Sequence, residues 1–512
     1  MPLLRKGIIL PTKGIDYSLP STFIADQNSF SKNMYYYRGE LRKRPGKTLV
    51  GTAISGGQIM GFGTFEGNTG IKYAVRASKT KIEKYNTSTL AWESISASDF
   101  GGGDDDQINM AMVVEEQILA ITNWINIVRK WTGSGNTAAL GGNPPRAKYA
   151  AYLSPYLLLA YTNDGVSIKP WRVSWPDTGN CENWSSGSAG SLDLGDEPSV
   201  IQNILKLNEY AAVYKKESIW LLNKVSSSDV FQKSCVRTGI GLSASRAVAD
   251  ADGQHYFMAF NDFYTWEGIR PASIGAAVRD EVFRRIDRTQ INRSFALHVQ
   301  ELNEIWFFIP VAGGSWPTEI WKYNYRLGFW YYDTCVEISA AMRWGKVSSQ
   351  TWNDDTPGSW NEALDVWDSG DSIADWEEII LGKVTGGTCK LDYTKADDEG
   401  IAVEGVFETK DFIGESLEKK SRWLQIDFWA RGSTAAKLYI DYSVNGGDDW
   451  TNIPYTSSQA YAELTEKAVH YKFYFDTIAQ EIRFRARNSE TGEIFYIKAF
   501  YPYYLSKEQN RS

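Results

Sequence analysis

Hydrophobic positions along this chain fall in short, dense runs broken by turn residues. The clearest set lies in residues 304–333, EIWFFIPVAGGSWPTEIWKYNYRLGFWYYD. An apolar run, Ile305 to Ile309, stops at Pro310, and Gly313 and Gly314 supply a turn. The next run, from Glu319 to Tyr325, alternates its side chains on a period of two, and a second turn leads to Phe329-Trp-Tyr-Tyr. Aromatic and β-branched runs punctuated by Gly, Pro and Asn predict consecutive antiparallel hairpins.

The same phrase recurs. It stands at 71–95, 117–133, 156–184, 209–232, 254–274, 304–333 and, in degenerate form, 377–393. The starts are mostly 39 to 53 residues apart, which is the period of propeller blades, each a four-stranded sheet repeated around an axis. Seven phrases fit six or seven blades, because one blade can be split to close the ring. The fold predicted is all-β: a six- or seven-bladed β-propeller over 51–400, followed by a C-terminal β-sandwich over 401–512. Residues 1–50 are read as an extended N-terminal segment. One stretch breaks the pattern. Val278, Val282 and Ile286 recur at i, i+4 and i+8, a short amphipathic helix between blades. Beyond residue 401, strand-like runs at 403–409, 423–430, 437–443, 471–476, 481–487 and 494–501 suggest the sandwich. Arg483, Arg485 and Arg487 share one face of a strand there, facing either solvent or a subunit contact.

Composition narrows the function. The 512 residues hold 20 Trp, 29 Tyr and 44 Gly, a mix suited to strands and tight turns. The net charge of −8 argues against a general nucleic-acid binder, although it suits a surface that DNA passes without sticking. No run approaches the roughly 18 apolar residues of a membrane span, and no secretory signal is read at the start. Cys181, Cys235, Cys335 and Cys389 are sparse and distant, which suits a reducing compartment and unpaired thiols.

Candidate chemistry is thin. Ser443-Val-Asn-Gly-Gly-Asp-Asp-Trp450 fits the Asp-box pattern, read here as a hairpin turn with Trp450 packed beneath it. Asp104-Asp105-Asp106 lacks the spacing of a calcium loop and is read as a solvated turn. His255, His298 and His470 stand in unrelated contexts, and Gly241-Leu-Ser-Ala-Ser245 misses the nucleophile elbow by its last glycine. No catalytic, cofactor or metal motif is found, and no enzyme is expected. Trp352, Trp360, Trp367 and Trp376 form a small repeat within 347–380, each followed by Asn, Asp or Glu. That segment is read as a long loop ordered by Trp packing, or as an outer-surface loop able to stack on sugar rings. The basic stretch containing Arg38, Arg42, Lys43 and Arg44 is read as a solvated loop turning at Pro45-Gly46; its charges are also candidates for an assembly contact.

Three phrases and an order of domains carry a family resemblance. The phrases are Asn33 to Gly46 (N…G-E-L-R-K-R-P-G), RVSWPDTGNCENW at 172–184, and EIWKYNYRLGFW at 319–330. With the Trp-acid loop and the terminal sandwich, they resemble the tail nozzle or hub propeller proteins of short-tailed bacteriophages. That family includes tail tubular protein B-like and packaged-DNA stabilisation proteins. The resemblance implies a structural virion protein of the tail, assembled in the host cytoplasm. Its copies would form a ring, a hexamer in the family, below the portal and adaptor or head-completion proteins. The ring would continue the DNA channel, retain the packaged genome and offer its outside to fibres or spikes. The alternatives are a glycan- or receptor-binding tail protein, or a sialidase-like propeller enzyme.

Overall fold

The computed structural model describes residues 4–5, 13–24, 30–37, 39–68, 70, 72–97, 100–225, 230–345 and 378–505. Within them the chain is a seven-bladed propeller joined to a two-sheet sandwich. Six blades are continuous four-stranded antiparallel sheets that begin at Gly61–Glu66, Asn109–Val113, Arg146–Leu153, Ile201–Leu207, Val248–Ala251 and Phe295–Val299. The seventh begins at Ile338–Trp344, and its fourth strand comes from the N-terminal region: Gly46–Leu49 pairs antiparallel with Thr388–Asp392. The circle closes where Ile338–Trp344 packs against Gly61–Glu66.

Each aromatic phrase read from the sequence forms the later strands of a blade. In blade 6 these are Glu304–Ile309, Glu319–Asn324 and Phe329–Thr334. Trp306, Trp321 and Trp330 are all buried there. Trp330 packs on Phe263 of blade 5 at 4.8 Å and donates its indole N–H to Ile274 O at 2.9 Å. An indole N–H buried between sheets needs an acceptor. Two strands provide one by the same device: Trp306 donates to Glu304 at 2.7 Å and Trp321 to Glu319 at 3.1 Å. Residues two apart on a strand share a face, so Glu-Ile-Trp satisfies its own indole. The expected helix forms over Arg279–Arg285, with Val278, Val282 and Ile286 buried in the core beside blades 5 and 6.

The N-terminal segment, read from the sequence as extended, contributes strands to both units. Phe30–Lys32 pairs with Gly405–Glu408 in one sandwich sheet, while Met34–Tyr37 and Glu40–Lys43 extend the other through Phe495–Leu505. The chain therefore starts in the sandwich, crosses to close blade 7, runs round the propeller and returns. The sandwich core is aromatic, with Phe407 and Phe412 of one sheet meeting Phe500 of the other at 5.6 and 6.1 Å. Sequence pattern could not reveal these pairings, since the partners lie hundreds of residues apart.

Candidate functional site

Two places concentrate polar chemistry: the seam between propeller and sandwich, and the well at one end of the propeller axis. At the seam, Asn33 adopts the left-handed conformation (φ 55°) between two strands, which Asn tolerates well. Its backbone N–H donates to Tyr332 O of blade 6 at 2.9 Å, and its amide donates to Glu404 O of the sandwich at 2.8 Å. Its side-chain oxygen accepts from Thr334 N at 2.9 Å and from Arg44 Nε at 3.1 Å. Arg44 then reaches Asp398 through two parallel bonds of 2.8 and 2.7 Å, and Lys47 meets the same carboxylate at 3.2 Å. Burial alone would raise the Asp398 carboxyl, but Arg44 and Lys47 hold it below its ordinary value.

Lys43 is fully buried in the sandwich, its ammonium donating to Asn488 Oδ1 at 2.9 Å and to Glu490 O and Glu493 O at 3.3 and 2.9 Å. Burial pushes its pKa down to about 8. Two of the basic residues expected at an assembly contact are thus internal. Lys43 and Arg44 fix this chain to itself because buried charges persist only where oxygens surround them. Arg42 is half-buried between the Tyr35 and Tyr496 rings, 5.8 and 5.2 Å from their centroids. Arg38 lies outside the described residues, as do Trp352, Trp360, Trp367 and Trp376.

The well lies where the first strands of the blades begin. It has a volume of about 270 Å³ and is walled by Gln107, Lys148, Tyr149, Gln202, Ser245 and Arg246, among others. Segment 100–108 crosses its mouth. Gln107 accepts a hydrogen bond from Ser245 Oγ of the opposite wall at 3.2 Å, and Asp105 pairs with Arg293 at 3.0 Å. Arg246 spans from blade 5 to blade 7, donating to Ser339 O at 2.8 Å. These links reach across the propeller at this end. The three consecutive aspartates answer three different partners: Asp104 pairs with Lys79, Asp105 with Arg293, and Asp106 accepts from Gly103 N at 2.7 Å. They diverge rather than converge on an ion.

No family model matches the sequence, and no curated protein matches it. Among solved structures, YCF48 from Cyanidioschyzon merolae is similar at 9% identity and TM-score 0.40, over 68% of this chain and 98% of that one. The extracellular domain of BT4673 from B. thetaiotaomicron matches at 10% identity and TM-score 0.43, over 87% of this chain and 60% of that one. PorZ of Porphyromonas gingivalis matches at 10% identity and TM-score 0.35, over 79% and 46%. Scores this low carry no functional argument. The fold stands on this chain's own strand pairing.

The other residues singled out from sequence have structural employment. The Asp-box turn is self-tied: Gly447 N donates to Ser443 Oγ at 3.0 Å and Asp449 N to Asn445 Oδ1 at 3.0 Å, while Trp450 lies under the Arg485 guanidinium at 4.3 Å. Arg483 pairs with Asp411 at 2.7 Å, and Arg485 and Arg487 share Asp441 at 2.8 Å each. That arginine face is occupied by carboxylates of neighbouring strands of the same chain. His255 is buried, donating from Nε2 to Lys206 O and accepting at Nδ1 from Tyr214, both at 2.9 Å; burial keeps it neutral. His470 bonds Asp427 at 2.9 Å and stacks on Trp429. His298 meets Tyr325 at 3.1 Å. Among the described residues, no helix is long and apolar enough to cross a membrane.

Proposed function

We propose that the chain is a structural subunit of a short-tailed phage tail, one copy of a ring that continues the DNA channel below the portal and adaptor. The observation that carries this reading is the employment of the three phrases behind the family resemblance. Each is a tie between neighbouring units rather than a ligand shelf. The phrase from Asn33 to Gly46 staples sandwich to propeller through Asn33, Arg44 and Asp398. The phrase at 172–184 staples blade 3 to blade 2: Glu182 meets Lys130 at 2.8 Å, and Cys181 N donates to Glu116 at 2.7 Å. The phrase at 319–330 ties blade 6 to the helix through Glu319 and Arg285. Ties of this kind suit a structural subunit.

In this reading the DNA path lies between copies, because the propeller axis is crossed by Arg246 and by segment 100–108. The net charge of −8 suits walls that pass DNA without holding it. The ring, hexameric in the family it resembles, would meet adaptor or portal on one side and fibres or spikes outside. Cross-linking the chain within its parent particle, followed by mass spectrometry, tests the proposal. Links between copies and to the adaptor or portal are expected. A purified chain that hydrolyses a host polysaccharide would remove the structural reading.

A further inference from the structure

One cation in the wall of the well has no anionic partner among the described residues. Arg246 rests on the Phe295 ring at 5.2 Å and uses one nitrogen for Ser339 O, while its Nε is buried without a hydrogen-bond partner. Among the described residues no carboxylate pairs with it. Burial depresses its pKa to about 10, and no neighbouring charge opposes that shift, so it is charged at neutral pH with its charge unanswered. The side chain is only partly buried and lines the well, so its charge is open to an anion there.

The surrounding groups say what could. Lys148 also lines the well, its ammonium 4.4 Å from the Tyr161 ring and 5.6 Å from the Trp124 ring. Among the described residues it makes no ion pair, and Asp106 acts on it electrostatically. Asp105 and Asp106 are the acidic groups of the lining; the first is held by Arg293 and the second by the Gly103 N–H. Gln107, Gln202 and Asn292 add amides to the wall, and Trp124 and Tyr149 add aromatic surface. Trp124 and Tyr161 both sit at positive φ, 70° and 57°, a conformation that is strained for bulky side chains. Their rings meet edge to face at 5.0 Å. Of the two, Trp124 stands in the wall of the well itself, where retained strain points to a site.

We infer that this well binds a small hydroxylated oxyanion, an acidic monosaccharide or a sugar phosphate, whose anionic group pairs with Arg246. Guanidinium matches carboxylate and phosphate through parallel bonds, amides suit hydroxyls, and an aromatic wall suits the apolar face of a ring. The inference does not rest on the ring proposal, and either can fail alone.

The test is calorimetric titration of the full chain with four probes: glucuronate, glucose 6-phosphate, inorganic phosphate and glucose. Saturable binding of glucuronate or glucose 6-phosphate, and none of glucose, is expected. The stronger of the two acids identifies the anionic group. Binding of inorganic phosphate as tight as that of glucose 6-phosphate would overturn the hydroxyl-reading part of the site. R246Q should weaken binding roughly tenfold or more, the loss of one charge-assisted contact. If R246Q does not fold, N292D, an exposed change that adds an anion to the wall, should weaken it likewise. No binding of any acid at millimolar concentration, or affinity unchanged in these variants, overturns the inference.

Discussion

Arg44 and Asp398 form a two-pronged ion pair at the seam between propeller and sandwich, with side chains only 6% and 17% exposed. Removing Arg44 leaves Asp398 to Lys47 and loses the charge-assisted hydrogen bonds of the pair, at a cost of about 1.5–3 kcal/mol. R44M should therefore unfold at lower urea, and protease should cut first near the seam, around Gly400. Wild-type unfolding and digestion in R44M would show that the seam is held by other contacts.

The glycine beside that pair is there for space. A Cβ on Gly46 would lie 2.1 Å from the Asp397 carbonyl oxygen, which belongs to backbone and cannot swing aside. Gly46 also begins the strand that closes blade 7. Gly46→Ala should cost about 1–3 kcal/mol as an overpacked contact. Thermal melting checks this. Gly313→Ala, an open turn position with nothing near its Cβ site, serves as the comparison for positive-φ strain alone.

Blade 4 carries a pH-dependent contribution. Burial would raise the Glu197 carboxyl, but hydrogen bonds from Ser199, Lys215 and Ser218 together hold it at about 2, against an ordinary 4.5. A carboxyl depressed in the folded state gives stability that is complete above the unfolded value and is lost as pH falls towards the folded one. E197Q should be less stable than wild type near pH 6, and the gap should close as pH drops from about 4.5 to about 2. A gap that does not change with pH would contradict the assignment.

Thiol reactivity tests the reading of the cysteines. Cys235 is exposed, Cys335 is half-buried, and Cys181 and Cys389 are buried; all four are unpaired. Burial pushes Cys335 to about 12 and Cys389 to about 11, suppressing their thiolates. One thiol should react rapidly with a chromogenic disulfide in the native protein, and four in denaturant. Fewer than four in denaturant would reveal a disulfide.

The outer strands of the blades were legible because they carry the aromatic residues that fill the widening gaps between sheets. The innermost strands carry no such signal. Crowding around the axis selects small or mixed residues there, as in Val248-Ala-Asp-Ala251, and such runs have no aromatic signature. Lys43 and Arg44 show the converse limit: a charge run implies solvent unless one knows that Asn488 and Asp398 wait across the fold. Arg246 belongs to no motif. Its one signal is position, because Gln107, Gln202, Ser245 and Asn292 also stand at or near the start of an innermost strand, a pattern visible only once those strands are assigned.

The most direct measurement is cryo-electron microscopy of the parent particle. Copies of this propeller and sandwich should form a ring beneath the portal and adaptor, with DNA density in a lumen between copies and none along a propeller axis. A particle without this chain, or one that carries it only at the tips of its fibres, would contradict the structural role proposed.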